Sequence, residues 1–85
     1  MKRVRFSLDA PKAKAVLLVG DFTDWEARAK RMRRPRRGSP SFVTVVELEP
    51  GTYEYKFIVD GHWVEDPRAE AVPNSFGTRN SVVSV

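Results

Sequence analysis

An all-β sandwich of about six to eight short antiparallel strands is the fold that this 85-residue chain predicts. Three observations carry the prediction. Short runs of alternating or β-branched residues recur along the chain. Pro, Gly and Asp turn signals separate them at short intervals. No segment shows an apolar stripe at the helical period: Glu26 to Arg34 has some helix propensity, but it lacks such a stripe and stops at Pro35. A chain of this length supports one modest core, so residues 1–85 are expected to form a single domain.

Val4 to Leu8 alternates and is the first expected strand, broken by Asp9-Ala10-Pro11. Ala15 to Val19 is a short apolar run of the kind buried on both faces, and Gly20-Asp21 ends it. Phe22 to Arg37 shows no clean period and is expected to be a long loop with at most one helical turn. Gly38-Ser39-Pro40-Ser41 continues the break. Phe42 to Leu48 is rich in β-branched residues and is the next strand, followed by a Pro50-Gly51 turn. Tyr53, Tyr55, Phe57 and Val59 alternate with Glu54, Lys56 and Ile58, so the first set faces the core and the second faces out. Asp60-Gly61 signals a two-residue hairpin loop, which sets Val59 opposite His62 and Ile58 opposite Trp63. Trp63 then shares the outer face with Ile58 and Lys56, and a large ring exposed there marks a binding surface. Asp66-Pro67 opens a long polar loop that holds Pro73-Asn74 and Gly77. Asn80 to Val85 is the last expected strand.

Composition narrows the function. The hydrophobic share of 41% and aromatic share of 11% suit a globular protein. With no cysteine there is no disulfide framework or thiolate metal site. The N-terminus is too short and charged for a signal-peptide core, and the longest apolar run, Ala15 to Val19, is far short of a membrane span. A cytoplasmic protein with no membrane partner is therefore expected. The acids show no pairing at a useful spacing, His62 stands alone beside the hairpin turn, and no nucleotide-binding fingerprint is present. Neither catalysis nor a metal or other cofactor is expected.

Binding of a flat, hydroxyl-edged ring is a different matter. A sugar presents apolar C–H faces and polar edges, so its recognition needs exposed aromatic plates and short polar or charged groups. Trp25 and Trp63 are the candidate plates, and Lys56, Thr78 and Asn80 the candidate partners for hydroxyls. Each also has a plainer role open to it: packing for the tryptophans, turn and strand-end chemistry for Thr78 and Asn80.

Three stretches resemble a known pattern. Gly20-Asp21-Phe22-Thr23-Asp24-Trp25 is similar to the G-x-F-x-x-W signature of carbohydrate-binding module family 48. Gly51 to Trp63 resembles its G-x-Y-x-Y-K-F-x-V-D-G-x-W stretch, and Asp66-Pro67 with Asn74 to Val83 resembles its ending. Within that family, the pattern is nearest to the glycogen-binding domain of AMP-activated protein kinase β subunits. The resemblance implies an immunoglobulin-like β-sandwich that binds α-1,4-linked glucan without catalysis and localises a partner enzyme or kinase-like complex on polysaccharide. It places Trp25 and Trp63 on the stacking tryptophans, Lys56 on the sugar-contacting lysine, and Thr78 and Asn80 on polar contacts to hydroxyls. Phe76 falls where the kinase domain has a leucine that enters the curve of the glucan.

Two departures stand out. Thr23-Asp24 replaces a common asparagine-containing pair, a change expected either to alter the turn before Trp25 or to cost it a hydrogen bond. The segment after Trp25 is longer than in the kinase domain and is filled with arginine. Seven of the fifteen Lys and Arg residues lie in residues 28–37, with no acid among them, so the rest of the chain has fewer cations than its eleven acids. Two alternative readings follow. One is a structural or interaction domain with a degenerate sugar site. The other is an adaptor that docks a polyanion through residues 28–37, although nucleic acid is disfavoured because no aromatics are interleaved with the arginines.

Overall fold

The computed structural model describes residues 1–85, and it is all-β. Strands β1 (Lys2–Asp9), β2 (Val16–Gly20), β3 (Lys30–Arg31), β4 (Ser41–Leu48), β5 (Thr52–Val59), β6 (His62–Val64), β7 (Glu70–Pro73) and β8 (Arg79–Ser84) are joined by turns. Two 3-10 turns, Asp21–Thr23 and Trp25–Arg28, lie between β2 and β3. β1 and β4 form an antiparallel pair. The second sheet runs β3-β2-β5-β8-β7, with β6 also pairing β5.

The alternation of β5 works as its sequence predicts. Tyr55 and Phe57 enter the core with Phe6 and Leu8 of β1, Val16 and Leu18 of β2, and Phe42 and Leu48 of β4. Phe6 stacks on Phe22 at 5.5 Å and meets Tyr55 edge-on at 5.0 Å, so aromatic contacts tie the two sheets. The Tyr55 hydroxyl donates to Asp66 Oδ2 at 2.6 Å, while the Asp66 amide donates to the buried Ser81 Oγ at 2.8 Å. Burial first, and then the bond to Asp66, holds the Tyr55 phenol above its ordinary pKa. Gly20 permits the close approach of β2 to β5: a Cβ there would sit 2.6 Å from the Glu54 carbonyl oxygen.

Three sequence expectations need correction. Phe22 to Arg37 is not a long loop. It contains both 3-10 turns and β3, its Met32 is buried in the core, and Arg33 bridges to Val43. A strand of two residues is too short to show a period, and β2 creates it by offering a free edge. The polar stretch after Asp66 likewise contains β7, which pairs with β8 and ends at Pro73, a residue suited to an edge strand. Finally, Lys56 is on the outer face as predicted, yet it is only 7% exposed.

Arg34 departs most from its expected role. Its Nη1 donates to the Ser39 carbonyl at 2.6 Å. Its Nη2 reaches the carbonyls of Ala13 at 2.9 Å, Pro11 at 3.1 Å and Ala10 at 3.3 Å. The guanidinium also lies 4.2 Å from the centroid of the Phe42 ring. This arginine is a structural staple between two loops, not a free charge.

Candidate carbohydrate-binding site

The outer face of β5 forms the floor of the site. Asp60 (φ 48°) and Gly61 (φ 87°) both take left-handed backbone angles, as a tight hairpin turn of this hand requires. The Asp60 carboxylate accepts from the amides of Lys14 and Ala15 at 2.9 and 2.8 Å, fixing the turn to the preceding loop. The observed register is Ile58 opposite Trp63 and Val59 opposite His62. Trp63 is therefore on the outer face, 46% exposed, and the Lys56 Nζ lies 6.0 Å from its ring centroid.

Trp25 arrives by a different route. Asp21 anchors the first 3-10 turn by accepting from the Glu54 amide at 2.9 Å. The buried Thr23 Oγ1 accepts from the Gly20 amide at 2.9 Å and donates to the Trp25 carbonyl at 2.8 Å. Asp24 (φ 51°) and Trp25 (φ 53°) then both adopt the left-handed region, unusual for a bulky side chain. Thr23 thus supplies the hydrogen bonds of this turn, and the change of residue type noted in the sequence leaves it tightly held.

The third wall is the β7–β8 turn, organised by Asn74. Its Oδ1 accepts from the amides of Phe76 at 3.0 Å and Thr78 at 3.2 Å. Its Nδ2 donates to Thr78 Oγ1 at 2.7 Å and Asn80 Oδ1 at 2.9 Å. Asn80, 8% exposed, in turn donates from Nδ2 to Glu54 Oε1 at 3.0 Å. Lys56 Nζ donates to Thr78 Oγ1 at 3.4 Å. Each group keeps capacity for a ligand: two N–H donors on Lys56, the Thr78 hydroxyl proton, and one donor and one acceptor position on Asn80. Phe76, at the tip of the turn, is 87% exposed.

All six candidate residues, Trp25, Lys56, Trp63, Phe76, Thr78 and Asn80, line one open groove of about 650 Å³. Sequence reasoning did not single out two further lining residues, Glu26 and Asn74. Glu26 follows Trp25 and carries no distinguishing signal. Asn74 has one: a Pro-Asn pair followed three residues later by glycine is an Asx-turn signature. Chemically, the groove combines three aromatic surfaces with a ring of oriented donors and acceptors. That combination suits an amphipathic ring with hydroxyl edges.

Comparison with known proteins points the same way. The family described as the glycogen recognition site of AMP-activated protein kinase matches residues 3–85. The chain is 33% identical over 72 residues to human 5'-AMP-activated protein kinase subunit beta-2, covering 85% of this chain and 25% of that protein. It is 44% identical over 73 residues to the rice protein FLOURY ENDOSPERM 6, chloroplastic, covering 86% of this chain and 13% of the relative. The crystal structure of maltogenic amylase from S. marinus superposes with a TM-score of 0.73 at 26% identity, over 98% of this chain and 13% of the amylase. The chain thus spans a quarter or less of the length of these relatives. The chain belongs to the family of glycogen recognition sites of AMP-activated protein kinase.

Proposed function

We propose that the groove holds a stretch of α-1,4-linked glucan, and that residues 1–85 act as one non-catalytic module that places the protein carrying it on storage polysaccharide. Trp25 and Trp63 stack on sugar faces, Phe76 fills the concave side of the curved chain, and Lys56, Thr78 and Asn80 meet hydroxyls. The observation that carries this reading is the convergence of six residues, drawn from positions 25 to 80, on one groove. The partner is a polysaccharide-acting enzyme or a kinase-like complex, as the kinase subunit and amylase relatives suggest. No helix is long and apolar enough to cross a membrane. We place the module's action in the cytoplasm, while the rice relative carries a chloroplastic label.

The energetics favour weak binding to short chains. If each indole loses about 100 Å² of apolar area, two rings gain roughly 5 kcal/mol before the cost of immobilisation. Hydrogen bonds that replace water add little net. Dissociation constants on the order of micromolar to millimolar follow. Isothermal titration with maltoheptaose tests the site. Trp63→Ala and Trp25→Ala should each abolish measurable heat while leaving the melting transition intact. Unchanged affinity in either folded variant would reject the groove as the sugar site.

A further inference from the structure

The arginine run after Trp25 is divided by the fold. Alternation through β3 and the following bridge sends Met32 into the core and sets Arg33 opposite Val43 of β4. Arg34 is spent on backbone carbonyls. Arg31 goes elsewhere. Pairing across the large sheet sets Arg31 beside Leu17, Leu17 beside Ile58, and Ile58 beside Trp63. Directly paired residues project to one face, so Arg31 and Trp63 share a face with two half-buried aliphatic side chains between them. Three strand spacings separate them, roughly 14 Å. Arg28 closes the turn that Trp25 opens, and it puts a second exposed cation two residues before β3.

Neither arginine has a partner. The ion pairs of the structure are Arg68–Asp9 and Arg79–Glu65, and no side-chain hydrogen bond involves Arg28 or Arg31. Lys56 adds a third cation at the groove floor. Acids are present as well: Glu54 is engaged by Asn80, Glu26 stands at the groove wall, and Asp24 begins the turn that Arg28 closes. A neutral glucose ring needs plates and hydroxyl partners, and it has no use for two unpaired guanidinium groups. A phosphate monoester does, because the arginine fork matches its oxygens in a bidentate, charge-assisted way.

We infer that this groove accepts glucan bearing phosphate monoesters, with Arg28 and Arg31 as the phosphate subsite at the β3 edge. The inference rests on the glucan reading of the groove and adds a ligand class to it. A chain seated on Trp63 runs over Ile58 and Leu17, whose apolar surfaces suit ring faces, and brings its phosphate to the guanidinium groups.

The test compares amylopectin carrying phosphate monoesters with the same polymer after phosphatase treatment, using affinity electrophoresis. The phosphorylated polymer should be bound about tenfold more tightly at low salt, a gain that shrinks as salt rises. The Arg28→Ser, Arg31→Ser double variant should lose that gain and bind neutral maltoheptaose as the parent does, which also reports that it is folded. Equal binding of the two polymers overturns the inference. So does a gain that survives the double substitution, or inorganic polyphosphate binding as tightly as the phosphorylated glucan. Failure of the parent protein to bind maltoheptaose is a separate result, and it defeats the groove reading itself.

Discussion

Lys56 sits on the outside of a sheet and is nevertheless almost wholly buried. Trp63 and Thr78 flank its ammonium, whose one protein hydrogen bond, to Thr78, is long at 3.4 Å. Removing a cation from water without full compensation is costly, so this arrangement works against stability and fits the proposed role of Lys56 in binding. Lys56→Met keeps the aliphatic stem and removes the charge. It should leave the melting temperature unchanged or raise it, while weakening maltoheptaose binding about tenfold, as the loss of charge-assisted hydrogen bonds implies. A variant that loses stability and keeps its affinity would make Lys56 a structural residue. The position of Lys56 was legible because a period of two and a two-residue turn permit only one register around Trp63. Its burial was not, because the covering groups, Trp63 and the Asn74-organised turn, arrive from later in the chain. Asn74 itself spends its hydrogen-bonding capacity within the turn and so positions Thr78 and Asn80.

At the scale of elements, the long strands β1, β4 and β5 were legible from alternation and β-branching, whereas β3 and β7 were not. Two to four residues do not define a period, and these segments are strands because β2 and β8 offer them free edges. The basic segment shows how far a charge count falls short of a three-dimensional reading. Arg34 joins the loop at Ala10, Pro11 and Ala13 to the one at Ser39, beneath an aromatic contact to Phe42. Arg36 and Arg37, two and three residues on, are exposed. Arg34→Met should therefore cost about 2–3 kcal/mol, given hydrogen bonds from a charged donor. For a domain of this size that lowers the melting temperature by roughly 10–20 °C. Arg34→Lys should recover little, because one compact ammonium does not span the fork's carbonyl set. Arg36→Ser and Arg37→Ser should stay within about 0.5 kcal/mol of the parent. Thermal melts check the series, and an Arg34→Met variant that melts with Arg37→Ser would remove the staple.

For the whole molecule, the two ends of the chain decide how the groove is presented. Lys2 pairs with Leu48 at the end of β4, and Val85 exchanges backbone hydrogen bonds with Gly51 at 2.8 and 3.0 Å. Both ends therefore meet at the turn between β4 and β5. Trp63 lies alongside the other end of β5, opposite Ile58 and next to the Asp60-Gly61 hairpin, and the Asn74–Thr78 turn lies towards that end as well. A tether attached at either end leaves the groove open. If one groove binds as weakly as proposed, strength on a branched polymer must come from several grooves engaged together. Two copies joined by a flexible linker of about twenty residues, with a root-mean-square reach of roughly 25 Å, place the second groove at high effective concentration near neighbouring chains. Such a tandem should dissociate from immobilised glycogen with an apparent affinity about 100-fold or more above the single module. Its affinity per groove for maltoheptaose should match that of one copy. Surface plasmon resonance on glycogen, beside titration with the oligosaccharide, measures both. If the tandem gains no more than the twofold expected from counting sites, the grooves do not engage neighbouring chains together, and placement on polysaccharide must draw on a further contact.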